Sequence, residues 1–139
     1  KLQNVTISGE DGNDTVKIGK GVDLSSTTLD GGKGNDTLQI SENIDFSKIG
    51  KITNFEKLKL GENNESVNLR LDIKDVLDIT DNKNTILKVE GDSSDHLSLK
   101  GFNNNIISSH DGYDRYQGVD AHGNTTYIDI KHEVTVDFQ

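Results

Sequence analysis

Cysteine, proline, methionine and tryptophan are all absent from the 139 residues. Without cysteine there are no disulfides, thiolate zinc sites or cysteine nucleophiles, which suits a secreted chain that must avoid stray crosslinks. Aromatic residues make up 5% and apolar residues 30%, so the core has to be built from Val, Ile and Leu. No apolar run approaches membrane-spanning length, which excludes a transmembrane helix. No methionine initiates the chain and no leader is visible. Lys1-Leu2-Gln3-Asn4 opens directly into a strand-like run, so the chain reads as a segment of a longer protein. Basic residues are also scarce: 15 Lys and Arg against 24 Asp and Glu give a net charge of −9. Such a surface repels phosphate, and nucleic acid and anionic membranes are poor partners.

Low hydrophobicity with high net charge can mean disorder. Here the apolar residues are periodic. Val5-Thr6-Ile7, Val16-Lys17-Ile18, Leu38-Gln39-Ile40, Leu58-Lys59-Leu60, Val67-Asn68-Leu69-Arg70-Leu71 and Leu97-Ser98-Leu99 alternate apolar with polar. Gly, Asn, Asp or Ser clusters bound each run, the pattern of short strands. Thr85–Glu90, Thr126–Ile130 and Val134–Phe138 are further strands, and Ala121-His122-Gly123-Asn124 reads as a hairpin turn. One short helix is expected near 72–79, with Ile73, Val76 and Leu77 on one face and Asp72 as N-cap. Its aspartates Asp72, Asp75, Asp78 and Asp81 read as a cap and a solvated face before a cation ladder. Asp81-Asn82-Lys83-Asn84 is then a turn, and Gly101–Gly112 is the best loop candidate. The expected fold is a single all-β module over 1–139, with an internal change of character near Ser41-Glu42-Asn43 separating 1–43 from 44–139.

The informative signal is an internal repeat. Gly9-Glu10-Asp11-Gly12-Asn13-Asp14-Thr15-Val16-Lys17 aligns with Gly31-Gly32-Lys33-Gly34-Asn35-Asp36-Thr37-Leu38-Gln39. Glycines at such places let the backbone take turn conformations closed to residues with a Cβ, so that carbonyl oxygens point inward. The aspartate at the sixth place adds a carboxylate, and the apolar residue two places later starts a strand. Oxygen donors in a flexible turn suit Ca²⁺ better than Mg²⁺. The residues expected at a cation are Gly9, Asp11, Gly12 and Asp14, with Gly31, Lys33, Gly34 and Asp36. Asp92 and Asp95 in Glu90-Gly91-Asp92-Ser93-Ser94-Asp95 are a weaker echo, because Ser93 stands where the motif has glycine. Asp111-Gly112-Tyr113-Asp114 keeps less again.

The two nonapeptides resemble those of RTX (repeats-in-toxin) proteins. The resemblance implies a short parallel β-roll over Val5–Ile40 with Ca²⁺ between turns stacked on one side. Two nonapeptides make one coil in that family, a shorter step than the 22 positions from Gly9 to Gly31 here. The intervening Gly19–Ser26, which includes Asp23, lacks the motif. One same-side pair is therefore expected, with Asp14 and Asp36 sharing an ion. Ile52–Leu60, Val76–Asp81, Asn84–Leu87, Gly91–Asp95 and the hairpin Tyr113–Ile130 are similar, more loosely, to the C-terminal region of large bacterial RTX adhesins. That implies an extracellular location at the bacterial cell surface, export by type I secretion machinery, and calcium-dependent folding. The end, His132–Gln139, has the apolar, hydroxylated character of a type I signal and equally that of a final strand.

Other functions leave little trace. His96, His110, His122 and His132 form no His-Glu-x-x-His pair, and neither a G-x-S-x-G elbow nor a P-loop is present. Ser108-Ser109-His110-Asp111 holds triad residue types, but adjacent residues cannot converge as a triad must. The chain is not expected to be an enzyme. The alternatives are a module gripping a host or bacterial surface glycan or protein through its Tyr-containing hairpin or Asn-rich loop, and a piece of an RTX surface-layer protein. Tyr113, Tyr116 and Tyr127 read first as strand-face packing.

Overall fold

The computed structural model describes residues 3–19, 24–41, 43–46, 49–62, 65–81 and 86–139. Asp23, Glu42, the turn residues 82–84 and Thr85 lie outside the described residues. The rest is mostly strand with one short helix, as the alternation predicts. The strands in chain order are β1 (Gln3–Ser8), β2 (Thr15–Ile18), β3 (Ser26–Asp30), β4 (Thr37–Ile40), β5 (Ile44–Asp45), β6 (Lys51–Thr53), β7 (Lys57–Leu60) and β8 (Asn68–Asp72). The helix α1 (Ile73–Thr80) follows, then β9 (Leu87–Glu90), β10 (His96–Lys100), β11 (Ser108–His110), β12 (Tyr113–Val119), β13 (Thr125–Lys131) and β14 (Thr135–Phe138).

Successive strands do not pair with each other along most of the chain. They alternate between sheets, so that each pass lays a strand parallel to the one from the pass before. Sheet one runs β1-β3-β6, sheet two β11-β12-β13-β9-β7-β4-β2, and sheet three β14-β10-β8-β5. The period-2 alternation then lines up aliphatic columns across each sheet. Sheet two aligns Val16, Leu38, Leu58, Val89 and Ile130 across five strands. Sheet three aligns Leu69, Leu97 and Val136. Sheet one aligns Ile7, Leu29 and Ile52. Leu38, Leu58, Val89 and Leu97 are fully buried, and the core is one continuous cluster from Ile18 to Val134.

The strands are not uniformly parallel. Sheets one and three are, but sheet two becomes mixed at its far end, where β12 pairs antiparallel with both β13 and β11. The hairpin turn lies where the sequence places it. Asp120 closes it by accepting from the His122 and Asn124 N–H groups at 2.8 and 2.9 Å. Of its tyrosines, Tyr113 and Tyr116 are buried, as strand-face packing requires, and Tyr127 is half-buried. The loop expected over Gly101–Gly112 is only partly irregular, since it contains β11. The helix enters after β8 and lies against β6 and β8. The Phe55 N–H donates to the Ile79 carbonyl at 2.9 Å, tying that helix to the turn after β6. No helix among the described residues is long and apolar enough to cross a membrane.

Candidate metal centre

Because β1, β3 and β6 stack in register, so do the three turns that lead from them into β2, β4 and β7. The first is Gly9–Asp14, the second Gly31–Asp36, and the third the shorter Asn54-Phe55-Glu56. Backbone bonds tie them in sequence: Gly9 N–H to Asp30 O at 2.9 Å, Lys33 N–H to Glu10 O at 2.7 Å, and Gly31 N–H to Thr53 O at 3.1 Å. Asp11 and Lys33 form a parallel bridge, and Asn13 Oδ1 accepts from the Asn35 N–H at 2.9 Å. The first two turns thus touch along their whole length. Gly32 shows why glycine is required there. Its φ is 84°, and a Cβ would overlap the Glu10 carbonyl.

The carboxylates follow a repeating rule. Asp36 Oδ1 accepts from the Asp14 N–H at 2.8 Å, and Glu56 Oε1 accepts from the Asp36 N–H at 2.7 Å. Each acid therefore caps the turn before its own. That leaves Asp14 Oδ2 and Asp36 Oδ2 buried and without a hydrogen-bond partner. Asp36 as a whole has no exposed surface. Burial raises its carboxyl above the ordinary carboxylate range; the Asp14 N–H opposes that, and the charges of Asp14 and Asp30 push it further up. An unpaired buried carboxylate oxygen is costly, and native structures leave few such atoms without a partner or ion.

The surroundings of these two atoms fit a hard cation. A Cβ on Gly9 would lie 2.7 Å from Asp14 Oδ2 and 2.7 Å from the Gly31 carbonyl oxygen. The glycine therefore lets one carboxylate oxygen and one carbonyl oxygen from the next turn come close to each other against its backbone. Among the described residues no three His, Cys, Asp or Glu side chains converge. A cation at these turns would draw on main-chain carbonyls, as calcium sites commonly do. All of Gly9, Asp11, Gly12, Asp14, Gly31, Lys33, Gly34 and Asp36 belong to this stacked pair.

Asp92 and Asp95 do not. Their turn follows β9, whereas the stacked turns precede β2, β4 and β7, so the two groups sit at opposite ends of the parallel strands of sheet two. Asp95 Oδ1 accepts from the Val67 N–H at 3.0 Å and Oδ2 from the Asp92 N–H at 2.8 Å, while Asp92 Oδ1 accepts from the Ser94 N–H at 2.9 Å. Both oxygens of Asp95 are spent on the backbone, which makes it a buried brace between coils. The helix aspartates are likewise accounted for. Asp72 and Asp75 form a reciprocal capping box, Asp78 pairs with Lys74 at 3.0 Å, and Asp81 is the left-handed C-cap.

One trio of triad residue types does assemble. Ser109 Oγ donates to Asp114 Oδ1 at 2.7 Å, and His132 Nδ1 lies 3.0 Å from Asp114 Oδ2. The serine bonds the carboxylate and not the imidazole, so the base has no nucleophile to activate. The third turn is what the sequence reading missed. Its signal was Asn54, a residue that tolerates left-handed backbone, standing between two strand-like runs. No protein-family model, curated protein or solved structure matches the chain.

Proposed function

We propose that the chain is a calcium-stapled RTX-type module, a short parallel β-roll over the first coils continuing into further strands. In this reading it belongs to a large extracellular bacterial adhesin exported by type I secretion, and its role is structural, not catalytic. The observation that carries the reading is the pair of unpartnered, buried oxygens Asp14 Oδ2 and Asp36 Oδ2 on stacked Gly-Asn-Asp turns. Asp14, Asp36 and Asp30 crowd like charges into one corner, within a chain of net charge −9. A bound Ca²⁺ supplies the opposite charge there. The residues that would hold it are Asp14 through Oδ2 and Gly31 through its carbonyl, with Gly9 letting the two oxygens approach. Mass action then favours the folded state. At ten times its dissociation constant, one ion contributes roughly 1.4 kcal/mol, a useful share for a domain of this size.

The test is a calcium titration followed by far-ultraviolet circular dichroism and thermal melting. β-structure is expected to increase and the melting temperature to rise with Ca²⁺, and Mg²⁺ at the same concentration is expected to do much less. Identical spectra and melts in chelator and in calcium would overturn the reading.

A further inference from the structure

The third turn is shorter than the second and lacks its glycines, yet it makes two of the same contacts. Moving one coil along the stack carries Gly9, Asp14 Oδ2 and the Gly31 carbonyl onto Gly31, Asp36 Oδ2 and the Asn54 carbonyl. A Cβ on Gly31 would lie 3.0 Å from Asp36 Oδ2 and would overlap the Asn54 carbonyl oxygen. The capping bond is repeated too, with Glu56 reaching the Asp36 N–H as Asp36 reaches that of Asp14. Asn54 presents its carbonyl here because its backbone is left-handed, with φ 61°. Its side-chain amide donates to Asp30 Oδ1 at 2.8 Å, and that same oxygen accepts from the Gly32 N–H at 2.9 Å. Asp30 thus locks the second and third turns together.

We infer that the chain holds a second divalent-cation site, between the Gly31–Asp36 and Asn54–Glu56 turns, with Asp36 Oδ2 and the Asn54 carbonyl among its donors. It rests on the calcium reading above and changes the count. The free oxygens of Asp14 and Asp36 face different turn pairs, so the two aspartates serve two ions instead of sharing one. Hard oxygen donors and the absence of any thiol select Ca²⁺ over softer metals. Asp36 carries the stronger case, because it has no exposed surface and its Oδ2 has no partner.

The experiment is calcium alone, titrated into the whole chain by calorimetry, with stoichiometry checked by native mass spectrometry. The wild type is expected to bind two ions. Asp14→Asn and Asp36→Asn are each expected to bind one and the double variant none. Asparagine is nearly isosteric and keeps an oxygen to accept the Asp14 N–H. A single ion in the wild type, kept by Asp36→Asn and lost in Asp14→Asn, would overturn the second site and leave the proposed function standing. A single ion lost in either variant would mean one shared site and overturn it as well. No ion at all would overturn both. The wild-type count and Asp14→Asn decide the matter even if Asp36→Asn fails to fold.

Discussion

Asp36, Asp95 and Asp129, the three most deeply buried aspartates among the described residues, meet burial in three ways. Asp129 has a bidentate partner, with Arg115 Nε and Nη2 at 2.7 and 3.0 Å. Asp95 has two backbone N–H groups, one on each oxygen. Asp36 has one N–H and one bare oxygen. The difference predicts opposite responses to substitution. Asp95→Ala strands one buried and one half-buried donor and is expected to cost about 3 kcal/mol, equally with and without calcium. Asp36→Asn removes an unpaired buried charge, so it is expected to stabilise the chelated protein and reduce the gain from Ca²⁺. Urea unfolding of both variants in chelator and in calcium separates them. A calcium-dependent penalty at Asp95 would make it a ligand and not a brace.

The Asp114 and His132 pair sets a pH dependence at the same scale. Burial pushes Asp114 up, but the bonds from Ser109 and His132 prevail and hold it below its ordinary value. Asp114 in turn raises His132, through their hydrogen bond and its charge. A histidine with a raised folded pKa contributes stability in full below its ordinary 6.5, and loses it as pH rises through the folded value. The carboxylate contributes above the ordinary acid range and loses its share on acidification. His132→Gln is therefore expected to flatten the fall in melting temperature above about pH 6.5. Parallel curves for variant and wild type across that range would show that the pair contributes nothing.

At the scale of elements, the helix is the cleanest case. Asp72→Ala removes the side chain that accepts from the Asp75 N–H at 2.9 Å and should cost about 1 kcal/mol in a thermal or urea melt. No measurable change would mean that packing of Ile73, Val76 and Ile79 alone holds α1. This helix, the alternating strands, the hairpin and the two Gly-Asn-Asp turns were all legible in the sequence, because each rests on local periodicity or turn chemistry. What was illegible depends on stacking. Ser26-Thr27-Thr28-Leu29-Asp30 carries one aliphatic residue, yet it forms β3 with Thr27 buried in the inward column beside Leu29. A threonine facing inward breaks the alternation that marks a strand. The third turn has no glycine, so Asn54 and Glu56 join the site only because β6 pairs with β3. Asp92 and Asp95 fit half of the motif, and only the topology puts them at the opposite corner.

At the scale of the whole molecule, the parallel strands form a short stack in which neighbours come from adjacent passes, and β11, β12 and β13 extend it as consecutive antiparallel strands. Long stacks of this kind unfold piecewise, since each repeat touches only the next. Short ones stay cooperative when the core is shared. Here sheets one and two both carry contacts from the first coils into the third, through β3 with β6 and β4 with β7, and sheet two continues through β9 to β13. The three tyrosines, Tyr113, Tyr116 and Tyr127, all lie in β12 and β13, at the other end of sheet two from the proposed calcium turns. With no tryptophan to interfere, near-ultraviolet circular dichroism reports on that end of the stack. Calcium binding at residues 9–56 is therefore expected to shift the tyrosine-monitored melt by the same amount as the far-ultraviolet melt, in one transition. If the far-ultraviolet melt moves and the tyrosine melt does not, the first coils unfold on their own and the core does not couple them to the hairpin.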